Sequence, residues 1–209
     1  MIKAVLFDYG GVLTPGGFDG AIKKLFAGIY GVGESEIEFG SMVHDLMDGS
    51  LSTEKFFDRM NAKYPGKQKA TGDMLIERSP ESLARAQPVH DLAKRLRDAG
   101  IRTGIFSNVA EFLARPHFKL GDYDAFDPVL LSYRDKMAKP DIGYYKFALK
   151  TLDLPADEVL FIDDKERNLI PARKLGMHTL KFENPNQAVN DTIAFIKSKN
   201  VDFETKAPE

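Results

Sequence analysis

Five short apolar stretches recur along this chain, at 3–7, 102–106, 128–132, 158–162 and 178–182. Each is rich in Val, Ile, Leu or Phe, and none alternates cleanly with polar residues. A strand that alternates has one wet face, whereas one that does not is covered on both. Helical patterns separate the runs. "HDLAKRLRDAG" begins at His90 and stops at Gly100, which is expected to take the left-handed C-terminal position. "DIGYYKFALKTL" follows Pro140, "KERNLIPARKLG" stops at Gly176, and a last helix is expected over 186–199. Strand and helix in repetition specify an open, doubly wound, mostly parallel α/β sheet.

One interval breaks the rhythm. About 90 residues lie between the first two runs, far more than one crossover needs. Within it, 18–30, 34–47, 52–64 and 71–77 carry helix-like apolar spacing, and "GVGE", "DGSLS" and "YPGKQKATG" read as turns. The expected organisation is an α/β core of 1–14 and 87–209 with a helical cap of 15–86 inserted after the first strand. The Phe56–Phe57 pair is expected in the core of that insertion, and Lys23 and Lys24 on a solvated helix face. The terminal "DFETKAPE" reads as a solvated tail.

Composition narrows the partners. Lys plus Arg is 29 and Asp plus Glu is 31, so the formal net charge is −2. That balance gives no reason to expect a nucleic acid or an anionic membrane surface. There is no cysteine, which excludes disulfides and thiolate metal sites. No run reaches the ~18 apolar residues of a membrane helix, and the N-terminal run is too short for a signal peptide. A cytoplasmic protein is expected.

In a doubly wound sheet, ligands bind beyond the carboxyl ends of the strands. Asp8 follows the first run, Ser107 and Asn108 the second, and Asp163 and Asp164 the fourth. After the third comes "YRDKMAKPD", which brings Lys136 and Lys139 to the same edge. Two adjacent aspartates at a strand end are unfavourable without a cation nearby. Carboxylates and carbonyl oxygens suit Mg²⁺, which would offset repulsion between a carboxylate nucleophile and a phosphate. A hydroxyl and an ammonium would hold the phosphoryl oxygens. Asp8 would attack phosphorus.

These stretches resemble the haloacid dehalogenase-like hydrolases, in the subgroup with a helical cap, over nearly the whole chain. "FDYGGVLT" is similar to the first motif of that family, "IFSNVA" to the second, "KPDIGYY" to the third and "VLFIDDKERN" to the fourth. The resemblance implies Asp8 as nucleophile, Ser107 and Asn108 as substrate-binding residues and Lys139 as the motif lysine. It implies a Mg²⁺ site from Asp8, the Gly10 carbonyl, Asp163 and Asp164. Asn168 is expected either to steady the fourth-motif loop or to sit in the first turn of a helix. "FIDDKERNLIPARKLGM" particularly resembles the phosphatase domain attached to soluble epoxide hydrolases, and the chain is also similar to sugar-phosphate phosphatases. No Gly-x-Ser-x-Gly elbow accompanies it. The implied function is a Mg²⁺-dependent phosphatase for a small phosphorylated metabolite.

One position departs from the family pattern. Phosphatases of the family carry a second aspartate two residues after the nucleophile, and here that residue is Gly10. Its carbonyl can still serve an ion, but a general acid worth ~10²–10⁴-fold in rate is missing. Gly10 is also expected to hold a backbone angle that a side chain tolerates poorly. Three readings compete: a slow or leaving-group-restricted phosphatase, a haloacid dehalogenase, and a catalytically silent binding protein. The Asp163–Asp164 pair argues against dehalogenation, which needs no Mg²⁺. A signalling receiver domain would reverse the order of acidic pair and acceptor. Taken singly, Asp8 could be a turn residue and Ser107 a helix cap. The histidines His44, His90, His117 and His178 fall outside every motif and are read as structural or surface groups. Loops at 14–18 and 48–52 are candidates for substrate contacts.

Overall fold

A computed structural model describes residues 1–15, 22–66, 68–79 and 83–200. Its sheet has five parallel strands in the order β3-β2-β1-β4-β5. These are β1 (Ala4–Phe7), β2 (Arg102–Ser107), β3 (Val129–Leu131), β4 (Val159–Asp163) and β5 (His178–Lys181). All five expected runs are strands. β3 is shorter than expected because Pro128 has no N–H to donate and Ser132 opens a helical turn.

The helices are α1 (Ile22–Tyr30), α2 (Met42–Met47), α3 (Thr53–Lys63), α4 (Gly72–Glu77), α5 (Gln87–Asp98), α6 (Glu111–Lys119), α7 (Ser132–Asp135), α8 (Ile142–Leu152), α9 (Glu166–Lys174) and α10 (Pro185–Lys199). Gly100 and Gly176 end α5 and α9 at φ 82° and 90°, the left-handed conformation that favours glycine. α5 starts earlier than His90, with Pro88 in its first turn. The expected helix over 34–47 is two pieces, a 3₁₀ turn at Glu34–Glu36 and then α2, with Gly40 at φ 55° between them. α6 was not foreseen. Of the expected 18–30 helix, 22–30 is helical and 18–21 lies outside the described residues, as does the 201–209 tail.

Both faces of the sheet are covered. Val5 and Phe7 pack with α5, α6 and α10 on one side. Ala4 and Leu6 pack with Tyr144, Tyr145 and Ala148 of α8 and Leu169 and Ala172 of α9 on the other. Strict alternation of β1 between two apolar layers is what turns the run Ala4–Phe7 into a central strand. No helix among the described residues is long and apolar enough to cross a membrane.

α1–α4 lie between β1 and α5 and centre on their own aromatic cluster. Phe26 is fully buried and sits 5.4–6.1 Å, centroid to centroid, from Tyr30, Phe39, Phe56 and Phe57. Phe57 continues the contact onto Phe112 of α6 at 5.4 Å. Ser52 and Thr71 cap α3 and α4 with side-chain oxygens. Lys23 and Lys24 are exposed on α1. Because Phe26 touches four rings at once, Phe26→Ala should cost about 3–5 kcal/mol. Urea unfolding followed by tyrosine fluorescence measures this, and a change below about 1 kcal/mol would mean the cluster does not hold these helices.

Candidate active site

Parallel register places the chemistry. Phe7 pairs with Ile105 of β2 and with Ile162 of β4. The residues that follow, Asp8, Ser107 and Asp163–Asp164, therefore emerge on one rim. The Asp8 amide completes the ladder to the Ile162 carbonyl at 2.9 Å.

Lys139 organises the rim. Its ammonium is fully buried and lies 2.7 Å from Asp163 Oδ2, 3.1 Å from Asp8 Oδ1 and 2.7 Å from the Phe106 carbonyl. The rings of Phe106 and Phe161 lie 5.3 and 5.1 Å from it. The side chain of Asn108, a residue expected at the substrate, grips the Lys139 backbone. Its Nδ2 donates to the Lys139 carbonyl at 2.7 Å, and its Oδ1 accepts from the Lys139 amide at 2.8 Å. Lys136 stays exposed and donates to the Gly49 carbonyl in the 48–52 loop. The part of the 14–18 loop from 16 to 18 lies outside the described residues.

The acids divide their duties. Asp8, Asp163 and Asp164 bring a carboxylate oxygen each within 4.8 Å of one another. Asp163 is fully buried and already bonded: Oδ1 accepts from the Lys165 amide and from Asn168, and Oδ2 from Lys139 and Asn168. Asn168 both sits in the first turn of α9 and ties the fourth-motif loop. Asp8 Oδ1 accepts from the Tyr9 amide at 2.7 Å, and the buried Ser107 side chain opposes the rise of its carboxyl. Ser107 is not used as a helix cap, since Ala110 holds that position on α6. Asp164 Oδ1 is buried and has no hydrogen-bond partner among the described residues.

That orphaned oxygen is the test of whether a cation fits. A buried carboxylate oxygen without a donor is costly unless a positive charge meets it. Lys139 meets Asp8 and Asp163 directly, and Lys165 and Lys139 oppose the rise at Asp164. Burial pushes the Asp8 carboxyl up to about 7, with Asp163 and Asp164 adding to the rise and Lys139 and Ser107 opposing it. Burial likewise raises Asp164. An all-oxygen donor set with excess negative charge suits a hard divalent ion.

The glycine pair has a split role. Gly11, not Gly10, holds the positive φ, at 87°. A Cβ on Gly11 would stand 3.0 Å from Asp164 Oδ2, so Gly11 is what lets Asp164 approach the first-motif loop. Gly10 is outside the left-handed region and bridges to Thr14. The expected backbone demand therefore falls one residue later.

Sequence reasoning missed Tyr9. Its amide orients Asp8, and its carbonyl accepts from the amides of Val12, Leu13 and Thr14. Its hydroxyl lies 2.9 Å from His117 Nδ1, which lies 2.7 Å from Asp122 Oδ2, and Arg85 binds the far oxygen of Asp122. His90 bonds the Leu13 carbonyl, and His178 packs on Phe195. His44 stands exposed beside Asp45 and Asp48 on α2.

The parallel sheet thus carries acids, a hydroxyl and a buried lysine at its carboxyl edge. The haloacid dehalogenase-like hydrolase family model matches residues 2–176, and the chain belongs to that family. It is 26% identical over 93% of its length to acyl-CoA dehydrogenase family member 10 of Mus musculus, covering 19% of that protein. It is 28% identical over 91% of its length to bifunctional epoxide hydrolase 2 of Mus musculus, covering 38%. The chain thus spans well under half of these two relatives. A glyceraldehyde 3-phosphate phosphatase of Methanocaldococcus jannaschii is 27% identical over 64% of this chain and 61% of its own. Among solved structures, a HAD family enzyme of Bacteroides thetaiotaomicron in its magnesium complex superposes with TM-score 0.73 at 26% identity, over 88% of this chain and 94% of that one.

The raised Asp8 has a sign that can be checked. Its folded value of about 7 lies above the ordinary carboxyl value near 4, so the folded protein holds the proton more tightly than the unfolded chain. Metal-free stability should therefore fall as pH rises from about 4 through about 7. A divalent cation must displace that proton. Its apparent affinity should climb by up to about tenfold per pH unit below 7 and level off above. Calorimetric Mg²⁺ titrations between pH 5.5 and 8.5 measure this, and a flat profile would place the ion away from Asp8.

Proposed function

We propose that this hydrolase is a Mg²⁺-dependent phosphatase for a small phosphorylated metabolite, with Asp8 as the nucleophile. The observation that carries the reading is the buried Lys139 ammonium held against Asp8 beside the unpartnered oxygen of Asp164. The phosphatase among the relatives and the magnesium complex among the solved structures support it.

In this reading Asp8, the Gly10 carbonyl and Asp164 would hold the ion. When bound, the ion would neutralise charge between carboxylate and phosphoryl oxygens. Asp163 is assigned to fixing Lys139 rather than to ligation, since both its oxygens are engaged. A carboxylate oxygen of Asp8 forms a bond to phosphorus as the ester O–P bond breaks, giving an aspartyl-phosphate and an alkoxide. Lys139 and the Ser107 hydroxyl hold the phosphoryl oxygens. Water then cleaves the acyl phosphate, regenerating Asp8 and releasing inorganic phosphate. Asn108 serves by tying the turn that follows Ser107 to the Lys139 backbone. The segment 15–86 is taken as the cap that closes over this rim.

Gly10 supplies no proton to the leaving group. Substrates whose anions leave unaided, such as acyl phosphates and sugar 1-phosphates, are therefore favoured over simple alkyl esters. Asp8→Asn removes the attacking charge and keeps the shape. Colorimetric phosphate release should fall to background while the melting temperature at pH 8 holds or rises. Persisting turnover in that variant would remove Asp8 as nucleophile.

Gly10→Asp tests the missing acid. Since Gly10 does not hold the left-handed angle, the new side chain meets no left-handed strain there. Turnover of alkyl phosphates should rise, by at most ~10²–10⁴-fold, and that of aryl phosphates much less. Equal gains on both, in a folded variant, would mean leaving-group protonation is not what the chain lacks.

A further inference from the structure

Ser132 opens α7 just after β3 and is completely buried. Its hydroxyl makes a three-way junction. It accepts from the Val109 amide at 2.9 Å and donates to the Met47 carbonyl at the end of α2. The Val109 carbonyl stands 3.4 Å away as a poorer acceptor for the same proton. A serine has one O–H, so the proton committed to Met47 is withheld from Val109.

The three segments that meet there are not equivalent. Val109 directly follows Ser107 and Asn108, and Asn108 grips the backbone of Lys139 from both sides. Met47 belongs to the helical insertion. A second tie lies one turn away, where the exposed Lys136 donates to the Gly49 carbonyl. Gly49 holds φ 72°, and a Cβ there would collide with the Tyr133 carbonyl. The 47–49 turn is therefore pressed against the backbone of the third-motif segment, with room for glycine alone.

We propose that Ser132 is a positioning residue: it transmits the seating of the insertion's Met47–Gly49 turn to the turn carrying Ser107 and Asn108, and through Asn108 to Lys139. With the turn seated, the hydroxyl proton is drawn to Met47 and the oxygen lone pair is aimed at the Val109 amide. With the turn lifted, the proton falls to the Val109 carbonyl and that aim is lost. The substrate-binding turn and the insertion are thus set together, although no side chain of the insertion need touch the nucleophile. The kinetic consequence rests on the phosphatase reading, while the mechanical one does not.

The test uses Ser132→Ala, Gly49→Ala and Lys136→Met in the full chain, with amide hydrogen exchange and steady-state kinetics on an aryl phosphate. Ser132→Ala should speed exchange at Val109 and lower kcat by roughly tenfold, within the ~10²-fold that a 1 Å misplacement costs. Gly49→Ala does not touch Val109 but should act in the same direction, and Lys136→Met more weakly. The Gly49→Ala and Ser132→Ala effects should not multiply, because they break one link. If Ser132→Ala does not fold, the exposed Lys136→Met decides. Unchanged Val109 exchange in folded Gly49→Ala and Lys136→Met, or multiplicative effects on kcat, would overturn the proposal. If the wild type lacks phosphatase activity, the exchange result still stands or falls alone.

Discussion

The ion bridge through Lys139 is the constraint around which the rim is arranged. A fully buried ammonium costs several kcal/mol to desolvate, and only close partners offset that. Asp163, Asp8 and the Phe106 carbonyl supply them within 3.1 Å, and two aromatic faces complete the shell. Those partners come from three different strand ends. The lysine can be buried only if β1, β2 and β4 keep their register, so the charge enforces the sheet alignment that creates the site.

Lys139 does not balance the site. Three carboxylates converge, and Lys139 meets Asp8 and Asp163 while Lys165 opposes the rise at Asp164. The surplus charge is expressed as a raised Asp8 and a partnerless oxygen on Asp164. Strain of this kind is stored where function draws on it. The fold tolerates it because Gly11 lets Asp164 come close while Asn168 and the Lys165 amide satisfy its neighbour Asp163.

The legible part of the molecule was the part written in periodicity and at strand ends. Five apolar runs became five strands, and Asp8, Ser107, Asp163 and Asp164 came together because parallel strands end on one side. What escaped was set by backbone atoms. The grip of Asn108 on the Lys139 main chain is one such feature, because an amide's target is not encoded in its spacing. Tyr9 acts through its amide, which every residue but proline possesses. Ser132 lies in an ordinary-looking "LSYRD" and acquires meaning only when Met47 and Val109 arrive. Pro116 inside α6 masks its helical pattern, and apolar spacing continues across Gly40 although the helix does not.

The division of labour between Gly10 and Gly11 has a genetic consequence. The residue that must be glycine for backbone reasons is Gly11, so position 10 is released from that demand. A glycine codon ending in a pyrimidine becomes an aspartate codon by one base change. Where Gly10 is encoded that way, an aspartate at this position is one mutational step away. Position 10 is thus a point where the side chain can change while the left-handed turn at Gly11 stays fixed.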